Sequence, residues 1–180
     1  MTKPLPDILQ ACKKGGRSAQ KQFYEHFKDK MFVLCLRYAG SREDAEDVLQ
    51  EAFVKVFRDL HQYKGLGSLE GWVRKVVLHV ALHALRCKMD APGTVELEKV
   101  AWKMEDEPPA FEEGPPAKSL IKLMQQMPPG FRTVLNLYVL EGYTHPQIAE
   151  ALGISEGTSK SQLNRAKAFM KNLLQKNLAG

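Results

Sequence analysis

The chain has 180 residues, 44% of them hydrophobic, and a formal net charge of +5, which is enough apolar material for packed cores and excludes wholesale disorder. Every apolar stretch is broken by charge well short of the roughly 18–20 residues a membrane span needs. The opening Met1-Thr2-Lys3-Pro4-Leu5-Pro6 also lacks the apolar region of a secretory signal, so a cytoplasmic protein without membrane insertion is expected.

In chain order, Ser18 opens a helical pattern in which Phe23, Phe27, Met31, Leu34 and Tyr38 recur at spacings of three and four. Cys35 lies inside it and is expected to pack as a small hydrophobe. Cys12, Cys35 and Cys87 are odd in number, widely spaced and without a CxxC pair, a pattern of thiols rather than of a disulfide framework. Gly40 ends the helix, and Ser41 with Asp44 supplies an N-cap and an acidic first turn for a second one reaching about Leu60. Val48, Ala52, Val56 and Leu60 share one side of it. A turn-rich segment, Tyr63-Lys64-Gly65-Leu66-Gly67, follows, and Ser68 caps a third helix through about Arg86. No stretch alternates with period two, so residues 1–94 are expected to form an all-α domain.

Residues 95–117 differ. They carry a net −5 between two blocks of +5, and contain Pro108-Pro109 and Pro115-Pro116. Proline disfavours helix in the residue before it, and so much like charge cannot build a core; this range reads as a linker. Extended at about 3.1 Å per residue, roughly 20 residues of it could span about 60 Å. Residues 118–180 then read as a second helical domain. An amphipathic stretch holding Leu120, Leu123, Met124 and Met127 is broken by Pro128-Pro129-Gly130, and a helix from about Phe131 to Leu140 follows. Thr144, Pro146 and Gln147 suit a capped helix start. That helix should end at Leu152-Gly153, and Ser155 should cap a basic helix through about Leu174.

Ile148-Ala149-Glu150-Ala151-Leu152-Gly153-Ile154-Ser155 has the form of a helix–turn–helix. Ala149 permits close helix approach, Gly153 the left-handed turn, and Ile154 fills the corner. The helix after the turn offers Ser159, Lys160, Ser161, Gln162, Asn164, Arg165 and Lys167. Laid in a major groove, such a helix can reach base edges near its start and phosphates with Lys and Arg. A basic chain with this motif points to nucleic acid.

From Glu156 to Lys167 the chain resembles region 4 of extracytoplasmic-function (ECF) sigma factors. Met127-Pro128-Pro129-Gly130-Phe131-Arg132 resembles the segment preceding that region's helix–turn–helix. Asp44 to Phe53 is similar to the region 2 helix that docks on the polymerase β′ clamp, and Leu69-Glu70-Gly71-Trp72-Val73-Arg74 to the segment that melts the −10 element. The resemblance implies a transcription initiation factor whose partners are core RNA polymerase (β′ clamp and β flap), promoter DNA and, as a further candidate, an anti-sigma factor. It implies polymerase docking by Asp47, Gln50, Glu51, Phe53 and Phe57, with one of the two phenylalanines expected in the core. It places Tyr63 to Glu70 in the loop that captures a flipped −10 base, and Tyr63, Lys64, Trp72, Arg74, Lys75, Arg86 and Lys88 on the −10 strand surface. Contact with the −35 element falls to Thr158, Lys160, Ser161, Asn164, Arg165 and Lys167.

The chain departs from the family pattern at His79 and His83. With Cys87 these fall at i, i+4 and i+8, but on one straight helix the outer two lie about 12 Å apart, too far for a single ion. No metal or cofactor is expected. His26, His61 and His145 have no partner pattern and read as surface residues. No P-loop, GxSxG, HExxH or paired-carboxylate constellation is present, so no catalytic residue is assigned. The alternative function is a helix–turn–helix regulator that binds operator DNA without polymerase; it would have no use for the clamp-docking and melting motifs.

Overall fold

Apolar residues recur at spacings of three and four through most of the chain, and the computed structural model, which describes residues 4–88 and 115–178, is accordingly helical, with no strand among those residues. By internal contacts the chain divides into two units, Met1–Cys35 with Arg42–Ala84, and Leu36–Ser41 with Leu85–Gly180. The acidic run expected to be a linker lies outside the described residues, except that a helix already begins at Pro115, within the range read as linker.

The first unit is built on α1 (Leu5–Lys13), most of α2 (Arg17–Tyr38), α3 (Arg42–Asp59), a short 3₁₀ turn (Leu60–Gln62) and most of α4 (Leu69–Lys88), the last residues of α2 and α4 counting with the second unit. The first helix expected from the sequence opens at Ser18, and α1 is not signalled by periodicity over so short a span. Yet proline is tolerated in the first turn of a helix, where the N–H has no partner to lose, and Asp7 complements the helix dipole there. The helix ends where Gly15 N–H donates to the Cys12 carbonyl at 2.9 Å and Gly16 N–H to the Ala11 carbonyl at 3.0 Å. Ile8 and Cys12, one turn apart, are the face it buries.

Phe23, Phe27, Met31 and Leu34 form the buried face of α2, as their spacing predicts. Ala45, Leu49, Ala52, Phe53 and Val56 of α3 and Val73, Val77, Val80 and Ala81 of α4 are buried in the same unit. The Phe23 and Phe27 rings meet at 4.8 Å, and Tyr24 approaches Phe53 edge-on at 4.7 Å. Full burial of a ring such as Phe23 contributes about 1.5–3 kcal/mol, and the Phe23–Phe57 and Tyr24–Phe53 contacts help hold α3 against α2.

None of the three cysteines is in a disulfide. Cys35 is fully buried, and burial pushes its thiol up to about 12; only thiolate attacks electrophiles. A maleimide at neutral pH is therefore expected to label exposed Cys87 within minutes and to leave Cys35 and buried Cys12 untouched until denaturant is added. Rapid modification of Cys35 in the native protein would mean that α2 is packed otherwise.

The second unit contains α5 (Pro115–Gln125), α6 (Pro129–Leu135), α7 (His145–Leu152) and α8 (Glu156–Leu178). The single helix expected over 131–140 is instead α6 followed by a π-helical turn, Asn136–Leu140. Its wider winding closes with Glu141 N–H on the Asn136 carbonyl at 3.0 Å, and it leaves Tyr138 and Val139 exposed. Ile121, Met124, Met127, Val134, Leu137, Ile148, Ala151, Leu163 and Ala166 form this unit's apolar core.

Candidate functional site

The helix–turn–helix forms where the local signals agree. Thr144 and Gln147 make a reciprocal capping box at the start of α7. Gly153 adopts φ 65°, ψ 36°, the left-handed conformation that the turn requires. Ser155 Oγ accepts the Thr158 N–H at 3.0 Å and caps α8. Leu163 and Ala166 fix α8 in place from beneath, and the Phe131 and Phe169 rings meet at 6.4 Å. Gly130 lets the start of α6 approach α8, since a Cβ there would come within 3.1 Å of the Gln162 side chain.

Packing of that face leaves Lys160, Ser161, Asn164, Arg165 and Lys167 exposed on α8, with Thr158 half-buried beside the cap. The first four fall at i, i+1, i+4 and i+5, one outward stripe. Ser159, read from sequence as part of the exposed face, is fully buried instead. Its Oγ lies 2.9 Å from His145 Nδ1, and the His145 ring stacks on Tyr138 at 4.8 Å. His145 is thus half-buried and partnered, not a lone surface residue. The signal was thin: residues fourteen apart on two helices meet only once the turn angle is known. Gln162 is also half-buried, on the packed side.

On α3, Asp47, Gln50 and Glu51 are exposed together. Phe53 is 3% exposed, with Tyr24 and Phe57 against it, so it leaves the candidate docking face and joins the core. Phe57 is half-buried, its ring 5.8 Å from Phe23. Val54, unassigned from sequence, is 70% exposed and lies three or four residues beyond Gln50 and Glu51, on their face. An apolar residue held in water at i+3 and i+4 from exposed polar residues is the pattern that could have revealed it.

The turn between the 3₁₀ segment and α4 brings Tyr63 and Trp72 together, ring centroids 5.9 Å apart, both half-buried. Lys64 is exposed beside them. Arg74 and Lys75 are half-buried, and burial holds the Lys75 ammonium below its ordinary range, so an anion that approaches it finds a partly desolvated charge. Arg86, half-buried, and Lys88, exposed, lie about four helical turns further along α4 and do not join the Tyr63–Trp72 pair. Among the described residues no His, Cys, Asp and Glu cluster could hold a metal ion, and no helix is long and apolar enough to cross a membrane.

A helical chain that ends in a capped helix–turn–helix with a basic outer stripe is, by fold and charge, a DNA-binding protein. Comparison with known proteins narrows the class. A family model described as Sigma-70 region 2 matches residues 23–90, and one described as Sigma-70, region 4 matches 117–170; together they take in more than half of the chain. ECF RNA polymerase sigma factor SigW of Bacillus subtilis is 25% identical over 178 residues, covering 93% of this chain and 95% of SigW. ECF RNA polymerase sigma factor SigE of Mycolicibacterium smegmatis is 28% identical over 156 residues, covering 82% of this chain and 58% of SigE. The fold is similar to that of the sigma factor RpoE solved in complex with the anti-sigma factor NepR from Bartonella quintana, with TM-score 0.52, 17% identity, and 86% and 96% of the two chains covered. The chain belongs to the ECF sigma factors and is a promoter-directing initiation factor of RNA polymerase.

Proposed function

We propose that the chain docks on the β′ clamp of core RNA polymerase through Asp47, Gln50, Glu51, Val54 and Phe57, and reads promoters with two separate surfaces. Tyr63, Lys64, Trp72, Arg74 and Lys75 take the melted −10 strand, with Arg86 and Lys88 extending the basic track. Thr158, Lys160, Ser161, Asn164, Arg165 and Lys167 contact the −35 duplex, and the second unit rests on the β flap. Residues 95–117 serve as the tether between the two readers. The protein works in the cytoplasm as a subunit and performs no chemistry of its own.

The observation that carries this reading is the pairing, on one chain, of an exposed acidic and apolar helix face with a basic helix–turn–helix stripe. The first suits a protein partner, since an apolar anchor with a charged rim makes an interface hot spot. The second suits DNA. An operator-binding regulator would need only the second. Immobilised on beads, the full chain is expected to retain core RNA polymerase from purified subunits at physiological salt. Failure to retain it, with the protein folded, would remove the docking assignment. RpoE of Bartonella quintana was solved in complex with the anti-sigma factor NepR, and a partner of that class is proposed here as well.

A further inference from the structure

The turn at 63–68 is held from a direction that neither family model covers. Lys13, on α1 and ahead of the matched residues 23–90, donates from Nζ to the Tyr63 carbonyl at 2.8 Å, and the same ammonium lies over the Tyr63 ring, 5.7 Å from its centroid. Tyr63 Oη in turn donates to the Gly67 carbonyl at 2.8 Å, and its ring meets Trp72. Beyond the turn, Ser68 Oγ accepts the Gly71 N–H at 3.0 Å and starts α4, while Lys30 pairs with Glu70 at 2.9 Å. Both ends of the turn are therefore fixed, and its tip is not. Gly65 and Gly67, at φ 77° and 87°, flank Leu66, which is 86% exposed. A large apolar side chain is presented to water at the tip of a stem locked by its own hydrogen bonds, with the exposed Lys64 next to it.

We propose that Lys13 is a positioning residue for −10 strand capture: it locks the stem of the 63–68 turn so that Leu66, at the tip, packs against the base that leaves the duplex. This rests on the sigma factor reading above. An unstacked base offers an apolar face and an adjoining phosphate, which Leu66 and Lys64 complement in that order. A tip that met a protein surface instead would have no use for the adjacent cation. Ordering the turn before the base arrives removes an entropic cost from the capture step. Lys13 thereby makes α1 part of promoter opening without touching DNA.

The test uses holoenzyme assembled from the full chain and core polymerase, on a promoter mapped by run-off transcription, with 2-aminopurine walked through the −10 positions. Lys13→Met keeps the aliphatic stem and removes the donor; Leu66→Ser removes the apolar tip. Each is expected to slow opening about tenfold, equivalent to about 1.4 kcal/mol in the barrier, and to compress the preference among the four bases at the extracted position. Closed-complex affinity should change by less than about twofold, because no duplex contact is lost. Lys13→Arg and Leu66→Met should restore both readouts. Opening and base preference at wild-type levels in Lys13→Met and Leu66→Ser overturn the proposal. So does a Lys13→Met protein whose melting temperature falls while its base preference stays intact, because that outcome assigns the contact to stability alone. If the wild type forms no open complex on any promoter, the sigma reading fails first and is told apart by that control.

Discussion

Replacing Asp47, Gln50 and Glu51 together by Ala is expected to weaken holoenzyme assembly about a hundredfold, equivalent to about 2.7 kcal/mol. All three are exposed on α3, and Ala has the higher helix propensity at each position. The fold should therefore keep its stability to within about 0.5 kcal/mol, as surface substitutions generally do. Val54→Ser separately tests the apolar part of the face and should cost about 1–2 kcal/mol of binding without loss of melting temperature. By contrast, Phe53→Ala removes a core ring and should destabilise the protein by about 3–5 kcal/mol. Competition for core polymerase against a labelled wild-type chain, with thermal melting alongside, separates the two kinds of defect. A triple variant that competes as well as the wild type would move the docking face off α3.

Loss of Lys160 or Arg165 is expected to cost about 1–3 kcal/mol of duplex affinity wherever the side chain reaches a base edge. Both side chains are exposed on the outer stripe of α8, so their removal leaves the buried Leu163 and Ala166 contacts untouched. A base contact makes the penalty depend on the sequence of the −35 element. A phosphate contact weakens all sequences alike and lowers the slope of log affinity against log salt by about one. Titration of holoenzyme onto matched and scrambled −35 duplexes at several salt concentrations distinguishes them residue by residue. Unchanged affinity on both duplexes for both variants would take the −35 contact away from this stripe.

Where one local signal acts alone, the sequence was legible. The α2 spacing of Phe23, Phe27, Met31 and Leu34 predicted the buried face, and Thr144, Gln147, Gly153 and Ser155 predicted both ends of α7 and the start of α8. Each rests on contacts within a few residues. What was missed depends on meetings across the chain. Phe53 and Phe57 are equally aromatic in sequence, and both meet rings of α2, yet only the first is fully buried. Ser159 belongs to a polar run yet lies four and seven residues before the buried Leu163 and Ala166, on their face, where His145 meets it. Over nine residues α1 gives no periodic signal of its own, and the burial of Ile8 and Cys12 shows only in the packed structure. Lys13 reaches Tyr63 across fifty residues, beyond any spacing rule. The π turn at Asn136–Leu140 has no sequence signature of its own; it ends just before Gly142, which adopts φ 71°.

Run-off transcription from fragmented genomic DNA of the source organism, with purified core RNA polymerase and the full chain, tests the central claim most directly. The predicted result is a set of transcripts absent with core alone, starting at discrete positions that share one pair of upstream elements at the −35 and −10 spacing. Transcript levels identical with and without the chain, while the chain alone protects a palindromic duplex from nuclease, would contradict it.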